Sequence, residues 1–327
     1  MAMGVRAARI LQPRSRATCV SALRAQAVSG LNAPPPMSSR RFDWISSSRG
    51  DPALLSSLQQ QMDRFYRRPE VREAYQEYID KREAESFDHP FERQVAKYLL
   101  HLHPAAALEI GCGNGRFFRT LRRAGFTGKY LGTEVAGWIV EDCRRRHPDA
   151  SWIAASAYDI PLAGGSFDVC FSYGVVESFV HPEKALAEML RVLKPGGRLV
   201  LLFPDFVESG RLGSQLTGLS PGRARTKLER GRWLDAAITV YDQKFRLPRA
   251  LRRSRDRIGP FPVNLAPVAL DHPTVTLPDY DAVYLSSKAD IEDWASALGL
   301  AVEFPLGRRL PKALRARSWA FLVIRAR

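Results

Sequence analysis

Three alternate glycines, Gly111, Gly113 and Gly115, stand between two acids, Glu109 just before them and Glu134 23 residues after Gly111. Glycine has no Cβ, so such a run lets the backbone turn sharply and approach a ligand closely. If a helix starts beyond Gly115, its first amides point into the same space. A dinucleotide fingerprint needs a glycine where this chain has Arg116, because helix and strand pack there. An acid at Glu109 also sits poorly beside a pyrophosphate. It suits a cationic ligand, such as one bearing an amino group and a sulfonium. A carboxylate about 20 residues beyond the first glycine, at the next strand end, can take both ribose hydroxyls. Alone, Glu134 reads equally as a solvated loop acid and Glu109 as a surface carboxylate. Their joint placement with the glycines argues for a binding site.

Such a site needs parallel strands that end at one edge. Ala106 to Ile110 has the apolar run of a short strand, and Arg116 to Ala124 reads as a helix closed by Gly125. Strands follow at Lys129 to Thr133, Ser151 to Ala155, Val169 to Ser172 and Arg198 to Phe203. The intervening helices are Trp138 to Arg146 and the segment from His181-Pro182, with Ala185, Leu186, Met189, Leu190 and Leu193 as its buried stripe. Pro195-Gly196-Gly197 reads as a turn. This alternation predicts a doubly wound α/β fold with a mostly parallel sheet. Upstream, residues 51 to 103 read as helical. Asp51-Pro52 supplies an N-cap with proline at the first helical position, and a second helix follows His89-Pro90. Near the end, Ala282 to Leu285 looks extended, Ser286 or Ser287 caps a helix, and Ala301 to Phe304 and Trp319 to Ile324 are the last strand candidates.

At Leu108-Glu109-Ile110-Gly111-Cys112-Gly113-Asn114-Gly115 and Glu134 the sequence resembles the class I S-adenosylmethionine (SAM)-dependent methyltransferases, especially their type 11 group. Ala157-Tyr158-Asp159-Ile160-Pro161, Gly165-Ser166-Phe167-Asp168-Val169 and Arg191-Val192-Leu193-Lys194-Pro195-Gly196-Gly197 extend the likeness. It covers about Ala106 to Phe203 well and the C-terminal part loosely. The resemblance implies a Rossmann-like sheet of seven strands with an antiparallel last strand. It implies SAM as cofactor, with Glu109, Gly111, Gly113 and Gly115 around the methionine part, Glu134 on the ribose, and Ser156 and Ala157 against the adenine. Tyr173 would face cofactor and substrate. Ser156 stands where the family often has Asp, and Glu177-Ser178 where many members carry Glu-His, so a His-based role is absent there.

A methyl group already activated on a sulfonium needs alignment more than it needs a base. Tyr173, Glu177 and His272 are the catalytic candidates. His181, beside Pro182, reads rather as a helix N-terminal residue. The insert from Asp205 to about residue 281 follows the fifth strand and is expected to cap the acceptor pocket. It carries Arg223, Arg225, Lys227, Arg230 and Arg232, then Arg246, Arg249, Arg252, Arg253, Arg255 and Arg257. These read as a solvated face or as a site for an anionic acceptor, an acidic lipid surface or nucleic acid. No RNA-binding module or interleaved aromatic platform accompanies them. The expected reaction is methyl transfer to a small-molecule or lipid-like acceptor, with RNA methylation or SAM binding without catalysis as alternatives.

Residues 1–42 contain seven arginines and no acid, as in an organelle transit peptide or an over-extended start with Met37 as initiator. Residues 43–103 are then a helical segment and 104–327 the methyltransferase domain with its insert at 205–281. No run approaches the length of a membrane helix. The expected location is cytoplasmic, or mitochondrial if the leader is a transit peptide. The four cysteines, Cys19, Cys112, Cys143 and Cys170, have no metal-ligand spacing, so no metal is expected. Net charge is +15.

Overall fold

The computed structural model describes residues 44–84, 89–209, 224–271, 279–314 and 318–327. A short strand, β1 (Trp44–Ser46), leads into helices α1 (Pro52–Arg67), α2 (Pro69–Ala84) and α3 (Pro90–His101). The central run is β2 (Ala106–Ile110), α4 (Arg116–Arg123), β3 (Lys129–Glu134), α5 (Gly137–Arg146), β4 (Ser151–Ala154), β5 (Phe167–Tyr173), α6 (Pro182–Arg191) and β6 (Leu193–Pro204). The insert follows as single turns at Phe206–Ser209 and Val268–Asp271 around α7 (Ala224–Glu229), α8 (Trp233–Tyr241), a π-helical turn Asp242–Arg246, α9 (Leu247–Ile258) and β7 (Pro262–Asn264). The chain closes with α10 (Lys288–Ala297), β8 (Val302–Glu303) and β9 (Trp319–Arg325).

Seven strands form one sheet in the order β4-β3-β2-β5-β6-β9-β8. The first five are parallel neighbours, with Leu108 opposite Leu131 on one side and Cys170 on the other. Strand β9 runs antiparallel to both β6 and β8, so the last strand is the reversed one, as expected. Strand alternation divides the core between the two faces. Leu108, Ile110, Leu199 and Leu201 pack with Leu186 and Met189 of α6. Ala107, Val200 and Leu202 pack with Phe117, Phe118 and Leu121 of α4 and with Phe91, Val95 and Leu99 of α3. The Asp51 side chain accepts from Ala53 N at 2.8 Å, and Ser287, rather than Ser286, caps α10.

Three local expectations change. The helical stretch after residue 51 breaks at Arg68-Pro69, because proline cannot continue a helix from within. The expected turn at Pro195-Gly196-Gly197 lies inside β6. Pairing there jumps from Phe167–Leu193 to Val169–Arg198, an irregularity that absorbs the extra residues, with Gly196 at φ +79°. Ala282 to Leu285 forms no strand of its own but lies beside β7, Leu285 N donating to Pro262 O at 2.8 Å. Strand β1, which no sequence signal suggested, pairs antiparallel with β7 of the insert. Among the described residues no helix is long and apolar enough to cross a membrane.

Candidate active site

The carboxyl edges of β2, β3 and β5 open into a cavity of 640 Å³. The loop after β2 is pinned to the neighbouring strand. Gly111 N and Cys112 N both donate to Thr133 O at 2.9 Å, and Gly115 N donates to Cys112 O at 3.0 Å. The three glycines do different work. Gly113 (φ +49°) faces the cavity, and a Cβ there would meet only Tyr75 Oη, at 3.6 Å. Gly111 (φ +71°) is needed for packing, since a Cβ would fall 2.5 Å from Val175 Cγ2. Gly115, expected to cradle the ligand, does not line the cavity. It starts α4 in the left-handed region with φ +73°, and a Cβ would meet His147 and Trp152 at 3.0 Å.

The Gly111 geometry carries a prediction. Gly111→Ala meets a left-handed backbone, costing about 1–2 kcal/mol, and overpacks Val175, costing about 1–3 kcal/mol more. The variant is expected to melt several degrees lower by circular dichroism. An unchanged melting temperature would show that the loop relaxes freely.

Glu109 is 2% exposed and accepts a hydrogen bond from the Tyr130 hydroxyl. Burial pushes its carboxyl up to about 8, against the lowering effect of Tyr130. Glu134, at the end of β3, accepts from Val135 N at 2.8 Å, Gly113 N at 3.2 Å and Ala136 N at 3.4 Å. Burial raises its carboxyl, and these amides oppose the rise. Ser156 and Ala157 also line the cavity. The Tyr173 ring lies between Phe117 and Trp319, stacked at centroid distances of 5.3 and 5.2 Å. Its hydroxyl donates to Glu92 Oε1 at 3.2 Å, and Glu92 pairs with Arg116 at 2.9 Å. Arg116 Nε and Glu92 Oε2 are buried with no partner.

Glu177 lines the same cavity, 6% exposed, with Oε2 buried and unpartnered. Burial drives its carboxyl well above the usual range, and Asp279 and Asp281 add to the rise. Its backbone carbonyl, which accepts from Val283 N and Tyr284 N at 2.8 and 2.9 Å, fixes the position of the residue. His181 does not line the cavity and precedes the first helical residue of α6, as its sequence context suggested. His272 lies outside the described residues.

Sequence reasoning missed the wall opposite the sheet. Leu55, Leu58, Met62 and Phe65 bury one side of α1, leaving Gln59, Asp63 and Tyr66 to line the cavity. Tyr66 Oη donates to Asp281 Oδ2 at 2.9 Å, and Trp138 Nε1 donates to Tyr66 O at 3.2 Å. His89, Phe91 and Glu92 continue this wall. From the described insert, only residues near its two ends reach the cavity: Phe206, Ser209, Tyr280 and Asp281, with Asp279 beside them. The insert's described arginines do not; Arg223 lies outside the described residues. Arg255 instead pairs with Asp290 at 2.8 Å and Asp293 at 2.7 Å, binding α9 to α10. Among the described residues the cavity therefore carries seven acids, Asp63, Glu92, Glu109, Glu134, Glu177, Asp279 and Asp281, against Arg116 and His89. The spacing of Tyr66 and Asp63 from the buried stripe of α1 was readable. What they face was not.

A family model described as a methyltransferase domain matches residues 108–201. The phthiotriol/phenolphthiotriol dimycocerosates methyltransferase 1 of Mycobacterium ulcerans is 31% identical over 142 residues, which is 40% of this chain and 52% of that protein. The demethylmenaquinone methyltransferase of Renibacterium salmoninarum is 52% identical over 95 residues, 29% of this chain and 39% of that one. An uncharacterized 37.1 kDa protein in transposon Tn4556 of Streptomyces fradiae is 38% identical over 105 residues, 31% of this chain and 30% of that one. The chain thus spans about a third to a half of the length of these relatives.

Proposed function

We propose that the chain is a SAM-dependent methyltransferase whose acceptor is a small or lipid-like molecule with one protic group, a reading supported by the match of residues 108–201 to a methyltransferase domain model. The observation that carries this reading is the placement of Glu109 and Glu134 around Gly113 in one cavity that also reaches Glu177. When bound, SAM supplies a methyl group already activated on a sulfonium. The residues fit it. Gly113 leaves the backbone bare toward the cavity. Glu134, oriented by three amides, keeps lone pairs for a ribose diol. Glu109 offers a negative charge to an amino group, Ser156 and Ala157 lie along the adenine, and Tyr173 faces the methyl-bearing end.

The acceptor's chemistry follows from the remaining walls. Val175, Phe179, Phe206 and Trp319 are apolar and suit a hydrophobic body. Glu177 takes the proton of the attacking hydroxyl or amine, while Tyr66 and Asp281 orient that group. The lining holds many acids and few cations, and the described arginines that suggested an anionic acceptor stand elsewhere, so a neutral or cationic acceptor is favoured. Relatives that act on dimycocerosates and on demethylmenaquinone support a lipid-like body.

Calorimetry tests the cofactor. SAM or its demethylated product should bind and raise the melting temperature, whereas NAD should do neither; NAD binding without SAM binding would overturn the reading. The pH dependence tests Glu109. With its carboxyl near 8, the free protein holds Glu109 mostly neutral at pH 7. A bound cation favours the ionised form, so binding should release a proton, and affinity should strengthen as pH rises toward 8. The slope is at most about tenfold per pH unit. Titrations in buffers of different ionisation enthalpy count that proton. Glu109→Gln should abolish the release, and its persistence would assign the proton to another group.

A further inference from the structure

The outward side of the insert carries an apolar surface that the cavity does not use. Trp233 is 70% exposed, Leu234 76%, Tyr241 56% and Phe245 47%. Leu234, Tyr241 and Phe245 fall seven and four residues apart, so they share one side of α8 and the π-helical turn. Ala236, Thr239 and Asp242 are buried on the other side. The Tyr241 and Phe245 rings stack at 6.2 Å. Lys244, Arg249, Arg252 and Arg253 gather around Phe245 in a shallow surface depression, with the Arg249 guanidinium 5.7 Å from the Phe245 ring centre. Other arginines of the insert are neutralised, among them Arg232 by Asp235, Arg246 by Asp242 and Arg255 by Asp290. Among the described residues no ion pair includes these four cations.

We propose that this side docks the protein on an anionic lipid membrane. Tryptophan and tyrosine settle at the boundary between headgroups and acyl chains, where one end of the ring is wet and the other dry. Trp233 and Leu234 enter that boundary, and the adjoining arginines and Lys244 meet lipid phosphates. Leu234, the most exposed of these side chains, is aliphatic; a bilayer surface buries such a group, and nucleic-acid bases do not stack on it. A second copy of the chain is disfavoured, because a two-fold contact through this surface would set the four cations against themselves. The docked side is linked to the cavity wall by packing: Leu251 of α9 lies in one cluster with Phe206, which lines the cavity. The docking surface stands on its own residues and does not rest on methyl transfer.

Co-sedimentation of the full chain with phosphatidylcholine vesicles, with and without phosphatidylglycerol, tests it. Binding should be tighter by about tenfold or more on the anionic vesicles. Arg249→Gln, Arg252→Gln and Arg253→Gln together should erase that preference. Leu234→Ser with Tyr241→Ser should weaken binding to both, with melting temperatures confirming that the variants fold. Equal, weak binding to both vesicles, or full binding by the arginine variant, would overturn the proposal. So would a dimer that Leu234→Ser dissolves without any vesicle binding, or single-stranded RNA binding that only the arginine variant loses.

Discussion

Glu134→Ala is expected to raise the SAM dissociation constant by about 5- to 150-fold, the equivalent of about 1–3 kcal/mol for a charge-assisted hydrogen-bond pair. The side chain sits at the end of β3, half-buried, and is held by the amides of Gly113, Val135 and Ala136. Removing it deletes the acceptor for a ribose diol and also leaves those amides to water. The second effect lowers stability, so the titration belongs well below the melting temperature of the variant. Glu134→Asp retains the charge but shortens the reach, and should fall between wild type and alanine. A dissociation constant unchanged in folded Glu134→Ala would remove the residue from the cofactor site.

Glu177→Gln is expected to lower kcat by about 10²- to 10⁴-fold, the range for a positioned general base, while leaving SAM affinity within a factor of about two. The substitution keeps the shape of a buried side chain and leaves the backbone carbonyl that holds Val283 and Tyr284. Because burial raises the Glu177 carboxyl, the wild-type rate should climb with pH as the residue ionises. The glutamine variant should lack that climb. Labelled methyl transfer into a cell extract measures both and recovers the acceptor. An undiminished rate would leave alignment alone as the protein's contribution to the chemistry.

The residues proposed for the cofactor were legible because they are local. Glu109, Gly111 and Gly113 fall within a stretch of five residues, and Glu134 lies one helix and one strand further on. Short apolar runs bounded by glycine and proline placed β2 to β5 to within a residue or two, and the C-terminal end of β6. Gly115 lies outside the cavity lining: a left-handed helix start and a ligand cradle both call for glycine, and only the positions of His147 and Trp152 point to the first use. The acceptor side depends on pairs remote in the chain, such as Tyr66 with Asp281 and Phe91 with Trp319. No spacing rule connects them. The insert's arginines drew attention by number, but partners decide their use: Arg255 is tied to α10, while Arg249, Arg252 and Arg253 lie on the outer surface.

The hydrogen bond from Tyr66 to Asp281 spans 215 positions, and β1 finds its partner strand near residue 263. During synthesis, the first helices emerge long before the segments that receive them. The parallel strands β2 to β5 can already assemble behind the ribosome while α1 still has an uncovered apolar side. Contacts of such sequence separation form late, since the loop-closure entropy must be met before they contribute. The pocket is therefore finished last, by the oldest residues of the chain folding back over the newest, and a nascent protein halted before Asp281 has a cofactor edge without a roof.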